Sequence, residues 1–277
     1  MNSSKHISFI IGSGRCGTRS LYRMFAGETD VDIHHEYKTI DVQQISVLYY
    51  SKKISFDEAC DRIKKIYDPA IYYSEGNVWI DSSNKCSWIV DVLHSLYPDA
   101  KFLSLIRDGR NVVSSFYYKL REEMYDDKST KILSEWLSGI TDVMPPAEKP
   151  YWWNIPIHDR IKYEKFKEYN RFERVCFHWY EINKHIGDSF KKLPKKQTMF
   201  IRFEDLIKDD QVIIDVCDFL NIGLNKMFFE FLKKPRNVFY PLDYQLSKEK
   251  MILFDQICKD MMDEWKYMNS NQYSVDY

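Results

Sequence analysis

The stretch FIIGSGRCGTRSL, residues 9–21, constrains this chain more than any other. An apolar run over 6–11 suits a buried parallel strand. A turn holding Gly12, Gly14 and Gly17 follows, and 20–25 continues at helical spacing. A glycine-rich turn that opens a helix presents backbone N–H groups to an anion, and the helix dipole adds partial positive charge. Gly12 and Gly17 have the spacing of the glycines in G-x-x-x-x-G-K-[ST], but Thr18 stands where that loop has its lysine, and Arg15 sits inside the turn. Arg15 brings a planar fork of donors, and Thr18 and Ser20 bring hydroxyls. The loop therefore suits a phosphate or a sulfate. It lacks the lysine that reaches the terminal phosphates of a nucleoside triphosphate. Asp81, after NVWI, is the nearest candidate for an acid that would hold magnesium.

The rest of the chain alternates strands and helices. Strands are expected at 78–81, 102–106 and 199–203. Helices are expected at 55–67, 87–96, after the Asp108–Gly109 turn, and at 172–186, 210–220 and 247–267. Ser55 and Glu58 form a capping-box pattern for the first of these. Such alternation predicts an α/β fold, a central parallel sheet flanked by helices, with ligands at the carboxyl ends of its strands. The loops at 12–18 and 107–115 both begin at such ends and can face one pocket. The stretch VDIHHEYKT, 31–39, is polar and receives no element. Region 122–170 carries Pro145, Pro146, Pro150 and Pro156 beside an aromatic cluster at 151–153. It reads as an irregular cap on a single domain spanning 1–277, and the last ten residues read as loose.

Composition narrows the function. A 29% charged chain with a net charge of -1 argues against a nucleic-acid binder, which needs a basic excess. The six cysteines form no C-x-x-C pair, so neither a metal site nor a disulfide framework is expected. The short, glycine-broken apolar run near the N-terminus is neither a signal peptide nor a membrane span. A cytoplasmic protein is expected, with no membrane partner.

The segment GSGRCGTRSL resembles the 5′-phosphosulfate loop of the sulfotransferases that use 3′-phosphoadenosine 5′-phosphosulfate (PAPS) and release 3′-phosphoadenosine 5′-phosphate (PAP). RDGRNVVSSFYYK, 107–119, resembles their 3′-phosphate segment, in which an arginine and a serine eight positions on grip the phosphate. Arg107 and Ser115 match those positions. LYPDAKFLSLI, FIRFEDLIKD and VCDFLNI also look like family segments in order. The resemblance covers about 9–220, apart from the cap. It implies a P-loop-like sulfotransferase fold. It also implies donor contacts from Gly14, Arg15, Cys16, Gly17, Thr18, Arg19, Ser20, Arg107 and Ser115, with Lys119 as a further basic position and Arg236, in KKPRNVF, closing the site.

Sulfuryl transfer, like phosphoryl transfer, relies on positioning and charge stabilisation. The resemblance makes Arg15 the residue that meets the developing charge, with no metal. The tyrosylprotein and heparan-type branches take the acceptor proton with a glutamate downstream of the first loop. Glu36 ranks first for that role and the adjacent His35 second. Many members use a lysine after the second strand. The ungapped match places Ser82 there, with Lys85 three residues on. The acceptor would be a small molecule or carbohydrate, with Trp152, Trp153, Tyr117 and Tyr118 as candidate walls. The competing readings are a P-loop kinase or NTPase and a non-catalytic nucleotide-binding protein.

Overall fold

The computed structural model describes residues 5–233 and 245–268. Strand β1, His6–Gly12, runs through the loop into helix α1, Thr18–Phe25. Strand β2, Val31–His35, is followed by α2, Thr39–Tyr50, and α3, Phe56–Tyr73. Then come β3, Val78–Ser82, α4, Val90–Leu96, β4, Lys101–Ile106, and α5, Gly109–Lys119. Helices α6, Asp127–Leu137, α7, Arg160–Glu168, and α8, Arg171–Phe190, lead to β5, Thr198–Arg202. The remaining helices are α9, Phe203–Lys208, α10, Asp210–Leu220, α11, Met227–Lys233, and α12, Lys248–Glu264. The five strands form one parallel sheet in the order β2-β3-β1-β4-β5.

Alternation along the strands sorts side chains onto two faces. Phe9, Ile11, Trp79 and Phe102 pack against α3, α4 and α8 on one side. Ile10, Ile80, Leu103 and Leu105 pack against α1, α9 and α10 on the other. Both faces of the central strands are thus covered, as parallel sheets require. Among the described residues no helix is long and apolar enough to cross a membrane.

Two elements depart from the sequence expectation. The polar stretch at 31–39 contains β2, which pairs with β3 in the register Ile33↔Ile80 and His35↔Ser82. It lies at the sheet edge, where half-exposed polar residues are tolerated, so its hydrophobic signal is confined to Val31 and Ile33. The cap is also less irregular than its prolines suggest. Asp126 accepts a hydrogen bond from Ser129 N to start α6, and Asp159 accepts one from Lys162 N to start α7. Both are ordinary aspartate caps, and the prolines lie between the two helices. Trp152 and Trp153, expected as acceptor walls, are 1% and 4% exposed and belong to a third core shared with α5, α8 and α12. Their indole N–H groups donate to the carbonyls of Pro146 and Glu123 at 2.8 and 2.9 Å.

Gly17 ties the first loop to the far end of the sheet. Its φ is 109°, and a Cβ there would stand 2.2 Å from the ring of Phe203, the first residue of α9. Gly17→Ala is expected to lower unfolding free energy by about 1–3 kcal/mol through overpacking alone, with left-handed strain added. Urea denaturation of the two proteins checks this.

Candidate functional site

Parallel pairing brings the ends of β1, β2, β3 and β4 to one edge, at Gly12, His35, Ser82 and Ile106. The first loop is pinned there from behind. Gly12 N donates to Ser87 Oγ, and that hydroxyl donates to Gly12 O, each at 3.0 Å. Ser82 Oγ donates to Thr18 O at 2.9 Å. His178 Nε2 lies 3.1 Å from Ser13 O. A carbonyl can only accept, so Nε2 carries the proton. Burial pushes the His178 pKa down to about 4, which keeps the ring a neutral donor at physiological pH. A Cβ on Gly14 would stand 2.9 Å from Asn84 Nδ2 and 3.0 Å from the Phe116 ring, so the loop fits closely against the turn after β3 and against α5.

The second loop closes on the first. Arg107 Nη1 donates to Arg15 O at 3.2 Å, and Arg15 Nε donates to Ser115 Oγ at 2.9 Å. Three residues expected from two distant segments thus form one chain of contacts. Arg15 sits in the left-handed region, φ 56°, a conformation that costs free energy and gathers at functional sites. Burial lowers its pKa, and the charges of Arg107 and Arg19 lower it further. Burial likewise lowers Lys119, and the charges of Arg15 and Arg19 act on it too. Lys119 lies one helical turn beyond Ser115, on the same face of α5. Arg15, Arg19, Arg107 and Lys119 therefore gather around the first loop. Such a gathering of like charge is what an anion with several negative groups would relieve.

Glu36 follows β2 directly and is also left-handed, φ 57°. Its N–H donates to Ser82 O, and the next N–H, of Tyr37, donates to Asp81 Oδ1, both at 3.1 Å. One carboxylate oxygen lies 2.7 Å from Lys85 Nζ, and the other accepts from Thr39 Oγ1 at 3.4 Å. Burial works against the Glu36 charge, but the Lys85 ammonium outweighs it, Lys149 of the cap adds to the effect, and the pKa falls to about 2. Lys85 is itself buried, which lowers its pKa, while Glu36 opposes that shift. His35 Nδ1 lies 2.9 Å from Ser82 O and must donate to it, leaving Nε2 as the basic nitrogen, and the ring stacks on Tyr22 at 5.6 Å. His34 points to the opposite face of β2, where its Nε2 lies 3.1 Å from Asp32. Asp81 is wholly buried and accepts from Tyr67 Oη at 2.6 Å as well as from Tyr37 N. It beds the Glu36 turn from below.

The sulfotransferase domain profile matches residues 5–251. The chain belongs to the sulfotransferase family. Solved sulfotransferase structures are similar to the chain at low identity, and the first two that follow share its fold. Sulfotransferase STF9 from Mycobacterium avium is 8% identical, with 95% of this chain covering 77% of that one at a TM-score of 0.52. A sulfotransferase from Alicyclobacillus acidocaldarius is 16% identical, with 95% of this chain covering 96% of that one at 0.50. Mouse sulfotransferase SULT7A1, solved with PAP, is 12% identical, with 97% of this chain covering 86% of that one at 0.42. No curated protein sequence matches the chain at a significant level.

In this sulfotransferase the residues singled out in the sequence take distinct positions. Gly14, Arg15, Gly17, Thr18, Arg19 and Ser20 form the loop and the first turn of α1. Cys16 is wholly buried in the core beneath the loop, so on the ligand side its contribution is confined to the backbone. Tyr117 packs at the rim of the cap core, with the Arg171 guanidinium 4.3 Å above its ring. Tyr118 packs edge-on against it at 5.1 Å. Arg236 lies outside the described residues. The geometry adds Lys85 to the site, three positions beyond the ungapped match. A short 3-10 turn at Cys86–Trp88 turns the chain after β3 and carries Lys85 to Glu36.

A carboxyl held at about 2 in the folded protein and near 4.5 when unfolded stabilises the fold fully above the higher value. That stabilisation drains away as pH falls through the lower one. Lys85→Met removes the largest charge opposing burial and leaves only the weaker effects of Lys149 and His35, so the Glu36 pKa should rise from about 2, as carboxyl-carbon NMR titration would record. The stability gap between wild type and variant should narrow from neutral pH to about pH 3.

Proposed function

We propose that this sulfotransferase transfers the sulfuryl group of PAPS to a hydroxyl, or an amine, of a small-molecule or carbohydrate acceptor. The whole chain would act as one catalytic domain with the region at 122–170 as its cap. The observation that carries this reading is the link from Arg107 through Arg15 to Ser115, which joins the two cation-bearing loops. PAPS has two separate phosphate-bearing ends, and the two loops answer both. The first loop, with the Thr18 and Arg19 amides, suits the phosphosulfate. Arg107, Ser115 and Lys119 suit the 3′-phosphate.

In this reading the acceptor oxygen attacks sulfur in line. The new O–S bond forms as the bond between sulfur and the bridging phosphate oxygen breaks, and PAP leaves with the electron pair. Arg15 meets the charge that builds on the bridge. Glu36 receives the acceptor proton. At a pKa of about 2 it is a weak base, because proton transfer favours a base matched to the working pH. Lys85 is the control on that basicity. When its ammonium turns toward the negative donor, the buried Glu36 loses its counter-charge and its pKa rises. His35 Nε2 is the second candidate base.

A kinase or NTPase fits less well. Thr18 occupies the lysine position, and Asp81, the candidate magnesium ligand, is enclosed by Tyr67 and the Tyr37 amide. A binding protein without chemistry leaves the strained Glu36–Lys85 pair with no task.

Transfer from sulfur-35-labelled PAPS to a panel of phenols, sugars and amines tests the reading. Activity should persist in EDTA. Glu36→Gln should lower turnover by roughly 10²–10⁴-fold while PAP affinity is kept. Full turnover in Glu36→Gln would move the base to His35.

A further inference from the structure

We infer that the segment just past α12 latches the second loop: Tyr267, acting through Glu204, is a positioning residue for Arg107. The inference rests on the PAPS reading above and adds to it a part of the chain that the two loops do not include.

Glu204 stands in the first turn of α9, wholly buried, and both its oxygens are engaged. Oε1 accepts from Asp108 N at 3.1 Å, the backbone amide directly after Arg107. Oε2 accepts from Tyr267 Oη at 2.9 Å. Tyr267 then closes a ring, because its carbonyl accepts from Arg110 Nη2 at 3.2 Å. Arg110 in turn forks onto the Asp108 carboxylate, with Nη2 to Oδ2 at 2.5 Å and Nε to Oδ1 at 3.0 Å. The ring Asp108–Glu204–Tyr267–Arg110 therefore fixes the turn from which Arg107 departs.

Packing supports the same turn. The Arg107 guanidinium lies 5.1 Å from the ring centre of Phe203, the neighbour of Glu204. A Cβ on Gly109 would stand 2.9 Å from both Trp179 of α8 and Phe254 of α12. A carboxylate buried this deeply is costly unless its oxygens are bonded. One that bonds both the amide beside Arg107 and the hydroxyl of Tyr267 makes the position of each depend on the other. Loss of the Tyr267 hydroxyl would let the Asp108 amide shift, and Arg107 with it. The first loop would lose the Arg107 bond to Arg15 O and keep its own anchors from Ser82 of β3 and His178 of α8.

The test compares PAP with adenosine 5′-phosphate, which lacks the 3′-phosphate, by calorimetry on wild type, Tyr267→Phe and Glu204→Gln. Tyr267→Phe removes one hydroxyl and keeps the ring, so α12 stays packed. Both variants, titrated at a temperature where each is fully folded, should lose about 10-fold in PAP affinity and keep their affinity for adenosine 5′-phosphate. Equal weakening of both nucleotides would reduce Tyr267 to a fold anchor and overturn the latch. Unchanged PAP affinity in both variants would overturn it as well. A wild type that does not favour PAP over adenosine 5′-phosphate would instead overturn the donor reading, and the latch with it.

Discussion

Arg107, Arg15 and Ser115 hold together two loops that like charge would otherwise push apart. Arg107 binds the carbonyl of Arg15, Arg15 binds the hydroxyl of Ser115, and Arg19 and Lys119 crowd the same place. A chain with a net charge of -1 has placed Arg15, Arg19, Arg107 and Lys119 together where the strands end. This is tolerable because the backbone beneath is over-determined. Ser87, Ser82 and neutral His178 bind the first loop, and Glu204 binds the second. The scaffold accepts the repulsion in advance, and under the proposed function the polyanionic donor gains the relief on binding.

The acid-base side is built on the same principle from the opposite sign. Glu36 and Lys85 neutralise one another at 2.7 Å, and the turn that presents Glu36 lies on Asp81, whose burial raises its own pKa to about 6 despite the bonds from Tyr67 and the Tyr37 amide. A buried pair of this kind is a poor source of stability. In the proposed reading its value lies in a strength of base that changes when the cation turns elsewhere.

Much of this was legible in the sequence because the features are local. The strand–glycine–helix start, the Arg107-to-Ser115 spacing and the strands at 78–81 and 102–106 each declare themselves within a dozen residues. What escaped has physical reasons. Strand β2 lies at the edge of the sheet and carries little apolar signal. Helices α6 and α7 begin at aspartate caps that the nearby prolines outweighed. Trp152 and Trp153 are as aromatic as any cleft wall, and only their burial separates core from cleft. Lys85 reaches Glu36 through a 3-10 turn that an ungapped spacing does not anticipate. Tyr267 meets Glu204 only through the fold, since no sequence pattern links residues so far apart.

The account turns on the donor that the two loops hold, and a calorimetric titration addresses it directly. PAP in EDTA is compared with ADP in magnesium, on wild type and on Arg107→Ala. The prediction is that PAP binds more tightly than ADP, that magnesium does not alter its affinity, and that Arg107→Ala weakens it by at least ~10-fold. Preferential binding of ADP with magnesium, unaffected by Arg107→Ala, would contradict it.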